Sequence, residues 1–528
     1  MFRQLAGTGI TNRRLVIVAA MAGTFLSALD SSIVGPAMPT IIGQLGGLSL
    51  YSWVFSAYLL TSTTTVPLYG RLSDMYGRKP LFVISAALFV LGSALCGLAQ
   101  SMEQLVAFRA IQGLGAGGIV PVTFTILGDL FSVEERAKMA GLFSAIWGAS
   151  AVAGPTLGGL VVEVIDWRWI FYLNLPFGAV SVWLMWRSLH EDHSVERSRI
   201  DYLGAILLTT GITAFLFGLL DVGEGASWFE LRTGGLMVLS VLILAWFIVH
   251  ESRFPNPMMP LGMFKSPIVA VVTGAGTLIG GVMFGISSFV PLYVQGVLGG
   301  SPIDAGLTIA PFSIGWSIAS VVSGQIITRA GYRISVVAGT FSAVAGCVSL
   351  LTVSSGTSRL PAAVGSGLVG IGMGLSATAM LIAVQNSVGW NQRGVATALV
   401  QFSRTIGGAI GVAVLGTLLT AQLTSRLSGL DSSLQSANAL LDLDVRKSLS
   451  ADLLEFLTTS LSSSLHVVFL TMFGLAVAAA VIVVLFFPRG TVEELQSAEG
   501  GMGASRPQQT PADAERVHPG GQTRPAPR

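Results

Sequence analysis

Gly70 to Lys79 reads GRLSDMYGRK, and Gly324 to Arg333 reads GQIITRAGYR. In each block two glycines stand seven apart, a base closes the segment, and a long apolar run precedes it. The offset between the blocks is 254 residues (324 minus 70). A second pair, ERAKMAGLFSAIWGASAVAG from Glu135 and QRGVATALVQFSRTIGGAIG from Gln392, aligns Arg136 with Arg393 and Gly154 with Gly411 at an offset of 257. Two collinear matches at nearly one offset predict a chain of two duplicated halves, as in membrane proteins built from internal repeats.

Composition fixes the environment of those halves. Of 528 residues, 52% are apolar and 11% charged, against about 25% charged in a soluble domain. That is too little charge to coat a water-facing surface. A net charge of +2 leaves no electrostatic footprint for nucleic acid. The two cysteines, Cys96 and Cys347, lie inside apolar runs, so neither a disulfide framework nor a metal site is implied.

A spanning helix needs about 20 mostly apolar residues. Fourteen runs qualify: 14–36, 51–70, 80–99, 103–127, 138–161, 168–187, 202–221, 232–249, 267–291, 304–327, 334–353, 361–384, 395–420 and 464–487. The first is full length and lacks a small-residue cleavage site, so it reads as a retained helix. Alternating the loops puts 21 Lys and Arg on one side and 6 on the other, with Arg109 and Arg404 inside spans. The positive-inside rule assigns the richer side, with both termini, to the cytoplasm. The expected fold is an all-α polytopic membrane protein. A cytoplasmic N-terminus (1–13) precedes one six-helix half (14–187). A linker with two inserted helices (188–265) leads to the second half (266–490). An external loop (421–463) holds a short amphipathic helix, and the Gly-, Pro- and Gln-rich tail (491–528) is expected to be disordered.

The motifs resemble one family. GRLSDMYGRKP resembles the loop 2–3 signature of the major facilitator superfamily, and RAIQGLGAGGIVP (Arg109 to Pro121) resembles its helix 4 motif. Gly141, Ser150, Gly154, Pro155, Gly158 and Gly159 resemble its helix 5 antiporter motif, with Ser150 where glycine is usual. LDSSIVGPAMP (Leu29 to Pro39) is similar to the helix 1 motif of the fourteen-helix drug:proton antiporters, and WVFSAYLL (from Trp53) and RTIGGAIG (from Arg404) fit the same group. The resemblance runs from about 13 to 490. It implies the major facilitator fold and a monomeric, proton-coupled exporter of amphipathic small molecules in a bacterial cytoplasmic membrane. It also implies no cofactor, with the proton gradient as energy source.

Gly70 and Gly77 permit the tight turn between helices 2 and 3. Asp74 is placed to accept from Arg78 beside Lys79, and the resemblance adds Asp129 to this cytoplasmic cluster. The cluster reads either as a latch that closes the cytoplasmic side or as a turn that only fixes topology. In helix 5 the small residues allow close backbone approach and Pro155 weakens the helix. That reads as a bendable contact sealing a leak path, or as plain small-residue packing.

Asp30 and Arg109 stand about six residues inside the outer ends of runs 1 and 4, roughly 9 Å deep at ~1.5 Å per residue. An isolated charge there costs at least a few kcal/mol, and a partner of opposite sign lowers the cost for both. Desolvation raises a carboxylate pKa while an arginine lowers it, so Asp30 reads as the proton carrier, or as a fixed pair joining helices 1 and 4. Gln112, one turn below Arg109, is expected in that network. Arg404, deep in helix 13, has no carboxylate at its depth and is expected to serve coupling, gating or structure. Helices 10 and 13 lack further acids, so neutral or monocationic lipophilic substrates are expected. Trp53, Tyr58, Trp147, Phe284, Phe289, Trp316, Gln385 and Gln401 are candidate cavity residues. No GxxxxGK[ST] loop occurs, so ATP is not the expected energy source, and no embedded Ser–His or metal-ligand constellation suggests an enzyme. A dedicated exporter of one endogenous lipid, antibiotic or siderophore would look the same in sequence. A scaffold or sensor would not need to keep a charge buried in lipid.

Overall fold

The computed structural model describes residues 11–130, 133–191, 201–223, 226–255, 257, 259, 261–388, 393–427, 440–441, 446 and 449–488. They fold as α1 (Arg13–Leu45), α2 (Tyr51–Tyr76), α3 (Arg78–Gly97), α4 (Met102–Leu130), α5 (Val133–Val164), α6 (Trp169–Ser188) and α7 (Tyr202–Gly223). The chain continues as α8 (Leu231–Arg253), α9 (Pro267–Leu292), α10 (Pro302–Ala330), α11 (Tyr332–Leu351), α12 (Leu360–Asn386), α13 (Arg393–Leu427) and α14 (Ala451–Phe486). Among the described residues 12 helices are long and apolar enough to cross a membrane.

α2 and α5 complete the fourteen by packing, α2 along α4 and α5 along α1. The Ser/Thr run Thr61–Thr65 lowers the hydropathy of α2, and all its hydroxyls but that of Thr63 find partners within the helix. Thr61, Thr64 and Thr65 donate back to the carbonyls of Ala57, Leu60 and Thr61 at 2.9, 2.9 and 2.7 Å. Such local bonds satisfy polar groups where no water is available.

The packing repeats. α1 lies on α5 as α9 lies on α13, and α4 lies on α2 and α3 as α12 lies on α10 and α11. The turn glycines of the two quoted motifs, Gly77 and Gly331, both take positive φ, 96° and 82°, which side chains resist. Gly154 abuts Ser32 of α1, and its repeat mate Gly411 abuts Gly281 of α9. α7 and α8 pack on each other and, through α7, on the α2–α13 edge. Ser240 bonds the Gly211 carbonyl at 2.8 Å and Thr417 the Leu219 carbonyl at 3.0 Å.

Two boundaries differ from the sequence reading. α1 continues through Pro36 and Pro39 to Leu45 instead of ending at 36. Asp30 therefore lies about 22 Å from that end at ~1.5 Å per residue, not 9 Å. Hydropathy placed the end at the prolines, yet Pro36 and Pro39 are buried within the bundle, where packing holds the helix. α14 begins at Ala451, and α13 runs to Leu427. Most of the loop in which a short amphipathic helix is expected lies outside the described residues; α14 is started by Ser450, whose side chain accepts from the Leu453 N–H.

The halves meet at the end bearing the α1–α2 and α9–α10 turns, here the distal end. Tyr51 Oη donates to the Ser288 carbonyl. Gln295 donates to the Pro36 carbonyl at 2.7 Å and accepts from Thr40 at 3.1 Å. Gly159 of α5 lies against the Pro302 carbonyl, and Gly306 of α10 against that of Pro155. Nearer the middle, Ser56 Oγ donates to the Ala409 carbonyl at 2.9 Å.

Candidate functional site

Asp30 is fully buried inside the N-terminal half. Its Oδ2 accepts from Arg109 Nη1 at 2.7 Å, and its Oδ1 from Gln112 Nε2 at 2.8 Å and Asn174 Nδ2 at 3.0 Å. α1 supplies the acid, α4 the base and Gln112, α6 Asn174, and α3 Ser93. Ser93 Oγ accepts from Asn174 at 2.9 Å and Gln112 at 3.2 Å while donating to the Phe171 carbonyl at 2.9 Å. Cys96 donates its S–H to Gln112 Oε1 at 3.7 Å. α3 and α4 come this close because Gly92 faces the Gln112 backbone, where a Cβ would collide.

Arg109, 2% exposed, also reaches Gln112 Oε1 at 2.7 Å and the Val54 carbonyl at 3.4 Å, and stacks 4.0 Å from the Tyr58 ring. One carboxylate and one guanidinium neutralise each other, and neutral amides hold both. Such a pair is costly to break from one side, about 3–5 kcal/mol, because the survivor is left charged and buried. The sequence paired Asp30, Arg109 and Gln112. It missed Asn174, Ser93 and Cys96, although Asn174 is an amide in an otherwise apolar run and was open to the same suspicion as Gln112.

The other expected residues divide. Tyr58 lies beneath Arg109 and belongs to this cluster. Trp53 is buried against Phe217 of α7, ring centres 4.8 Å apart, and Phe289 is buried 5.6 Å from the Tyr51 ring in the distal seal. Neither lines a cavity here. Large aromatics close contacts between elements as readily as they line cavities, and their sequence position does not separate the two. Phe284 is half-buried against Gly408. Trp316 is half-buried, with the Arg404 guanidinium 5.6 Å from its ring. Gln401 is exposed and accepts from Arg404 Nη2, and Gln385 donates to Thr397 at 2.9 Å. Arg404 is not among the partners of Asp30. The Trp147 side chain lies outside the described residues.

In α5, Gly154 and Gly158 face Ser32 and the Ile33 carbonyl of α1, and Gly159 crosses to α10. The Ser150 carbonyl accepts from Ser32 at 3.1 Å. Gly141 lies within α5, and its surroundings, like the side chains of Asp74 and Asp129, are outside what the structure describes. Gly70 has open space around it. Glu191 caps the α3 N-terminus, accepting from the N–H groups of Arg78 at 3.1 Å and Lys79 at 3.0 Å. Arg78 donates to the Ser73 carbonyl at 3.2 Å, and Lys79 sits 5.0 Å from the Trp186 ring. These bonds tie the α2–α3 turn to the end of α6.

At the distal end, a π-helical turn (Tyr293–Val297) extends α9 and carries Gln295. Its carbonyls are claimed by Arg446, which donates to Gly296 at 2.7 Å and to Gln295 and Val297 at 3.3 Å. The arginine therefore holds the turn that presents Gln295 to α1.

Two six-helix bundles, the first holding a buried ion pair, define a polytopic membrane protein of the transporter type. The chain belongs to the Major Facilitator Superfamily, whose family model matches residues 20–412. It is 34% identical to the multidrug transporter protein MdtP of Bacillus subtilis (strain 168) over 87% of this chain and 90% of that one. It is likewise 34% identical to multidrug resistance protein 3 of the same organism, over 91% and 96%. In fold it matches a bacterial homologue of the human lysosomal transporter Spinster, solved inward-facing and occupied, with a TM-score of 0.61 at 16% identity over 90% of this chain and 96% of that one.

Proposed function

We propose that this protein exports lipophilic, amphipathic compounds from the bacterial cytoplasm or inner leaflet in exchange for protons, by alternating access. The buried Asp30–Arg109 pair carries the reading, because a charge kept in a membrane interior is a functional group by default. Similarity to two multidrug proteins supports the substrate class. The 21-to-6 bias of basic residues supports a cytoplasmic proximal end with both termini there. The distal seal is then the outer gate, and this conformation faces inward. A single chain holds both halves, so the monomer is taken as the working unit.

The mechanism follows from what proton binding does to the cluster. A proton on Asp30 removes the anion that balances Arg109. The guanidinium keeps the Gln112 oxygen, the Val54 carbonyl and the Tyr58 face, so it stays charged without a carboxylate. Asn174 Oδ1 has no hydrogen-bond partner among the described residues. A turn of that amide offers the oxygen to a protonated Asp30, so Asn174 serves either protonation state. Losing the ion pair loosens α1 from α4 and α6. α1 also carries Pro36 and Thr40, six and ten residues beyond Asp30, into the outer gate. A proton taken up by Asp30 in the outward state frees α1 from the pair and lets the protein return inward, and release of that proton to the cytoplasm restores the 2.7 Å pair of the sealed, inward-facing form.

A panel of chemically varied lipophilic compounds, tested for accumulation in a bacterial host stripped of its own pumps, decides the substrate reading. Reduced accumulation of several unrelated compounds supports multidrug export. Reduction of one alone indicates a dedicated exporter, and reduction of none removes the transport reading.

A further inference from the structure

We propose that Arg404, Gln401 and Trp316 form a subsite that takes the anionic or strongly accepting end of an aromatic amphipathic substrate. The inference rests on the transport reading and deepens it by naming the charge of the cargo.

α10 and α13 do not pack on one another along their lengths, and each instead reaches the opposite half, α10 through α5 and α13 through α2. A guanidinium on α13 that lies 5.6 Å from a ring on α10 therefore spans the space between them, on the face turned to the N-terminal half. Arg404 sits five residues on the proximal side of Ala409, whose carbonyl closes against Ser56 at 2.9 Å. It thus lies on the proximal side of that contact between the halves.

Its electrostatic situation is the reverse of Asp30's. Asp30 lies in the core of one half, neutralised by Arg109 and screened from the cleft by Tyr58. Arg404 has no carboxylate partner among the described residues, and its hydrogen-bond partner is a neutral amide that is itself exposed. Wherever the net charge of the middle of the bundle can be read, it is that of Arg404. A planar guanidinium with donors free on one edge recognises carboxylate, sulfonate or phenolate oxygens, often in bidentate fashion. The half-buried Trp316 offers a ring for an aromatic body, and Gln401 adds an amide beside it. The cleft wall so built disfavours cations. This subsite predicts a cargo charge opposite to the neutral or monocationic one expected from Asp30.

The test uses the purified full-length protein in lipid nanodiscs, with 1-pyrenebutyrate and its methyl ester as probes and tetraphenylphosphonium as a cationic control. Affinities are measured by equilibrium dialysis. The wild type is expected to bind the carboxylate about tenfold more tightly than the ester. Arg404→Gln brings the ratio to about one by weakening only the carboxylate, and Arg404→Lys keeps part of it. A wild-type ratio of one, or a ratio unchanged in a folded Arg404→Gln protein, overturns the subsite. Binding of tetraphenylphosphonium with neither pyrene compound bound overturns the subsite and leaves the transport reading standing. Binding of none of the three overturns both.

Discussion

At the scale of the residue, the Asp30 cluster is a neutral pair inside amide scaffolding. Removing either ion strands the other, so Arg109→Ala should cost about 3–5 kcal/mol and lower the thermal unfolding midpoint in detergent. Asp30→Asn in the same chain should return most of that loss, because the stranded charge is gone. Absence of that rescue would mean that Arg109 acts through Val54 and Tyr58 and not through the acid. Asn174→Leu should leave the fold intact and lower exchange at every pH, since the aspartate then lacks its switchable amide. Substrate-driven proton flux across reconstituted vesicles measures it. Asp30, Arg109 and Gln112 were legible because charge and amide are rare within apolar runs. Ser93 and Cys96 were not, because small polar residues occur throughout such helices and only the approach permitted by Gly92 gives these two their partners.

At the scale of the element, α1 links the cluster to the outer gate, and α5 meets α10 through glycines. A side chain at 159 would press on the Pro302 carbonyl. Overpacking of this kind costs about 1–3 kcal/mol, here charged to the sealed state. Gly159→Val should therefore shift the population outward. Labelling of a cysteine placed at Ser31, which is half-buried in the sealed form, should speed up from the outer side. Unchanged labelling would show that the contact does not hold the gate. The α5 motif was legible as a close contact, but its partner was not: spacing gives the small face of one helix and says nothing about which helix meets it. The length of α1 was misread for a related reason. Proline marks a helix end in an isolated run, and bundle packing carries the helix on through Pro36 and Pro39.

At the scale of the whole molecule, two collinear motif pairs were enough to read two halves and an inserted pair of helices. Repeats survive in sequence because turn glycines such as Gly77 and Gly331 need a backbone conformation other residues resist. The charge facing the cleft was not legible, since the depth of Asp30, Arg109 or Arg404 in its run gives no azimuth. The sealed end was not legible either, because it is made by backbone carbonyls at Pro36, Ser288 and Ala409. A disulfide between cysteines placed at Thr40 and Gln295, in a chain freed of Cys96 and Cys347, should lock the outer gate. Transport should stop on oxidation and return on reduction, whereas continued transport with the bond formed would refute alternating access through this gate.

The most direct measurement is substrate-evoked proton movement in everted membrane vesicles energised with a pH gradient. The wild type is predicted to acidify the lumen less once substrate is added, and Asp30→Asn to bind substrate with no such change. A full response from the Asp30→Asn protein would contradict the assignment of this acid as the proton carrier.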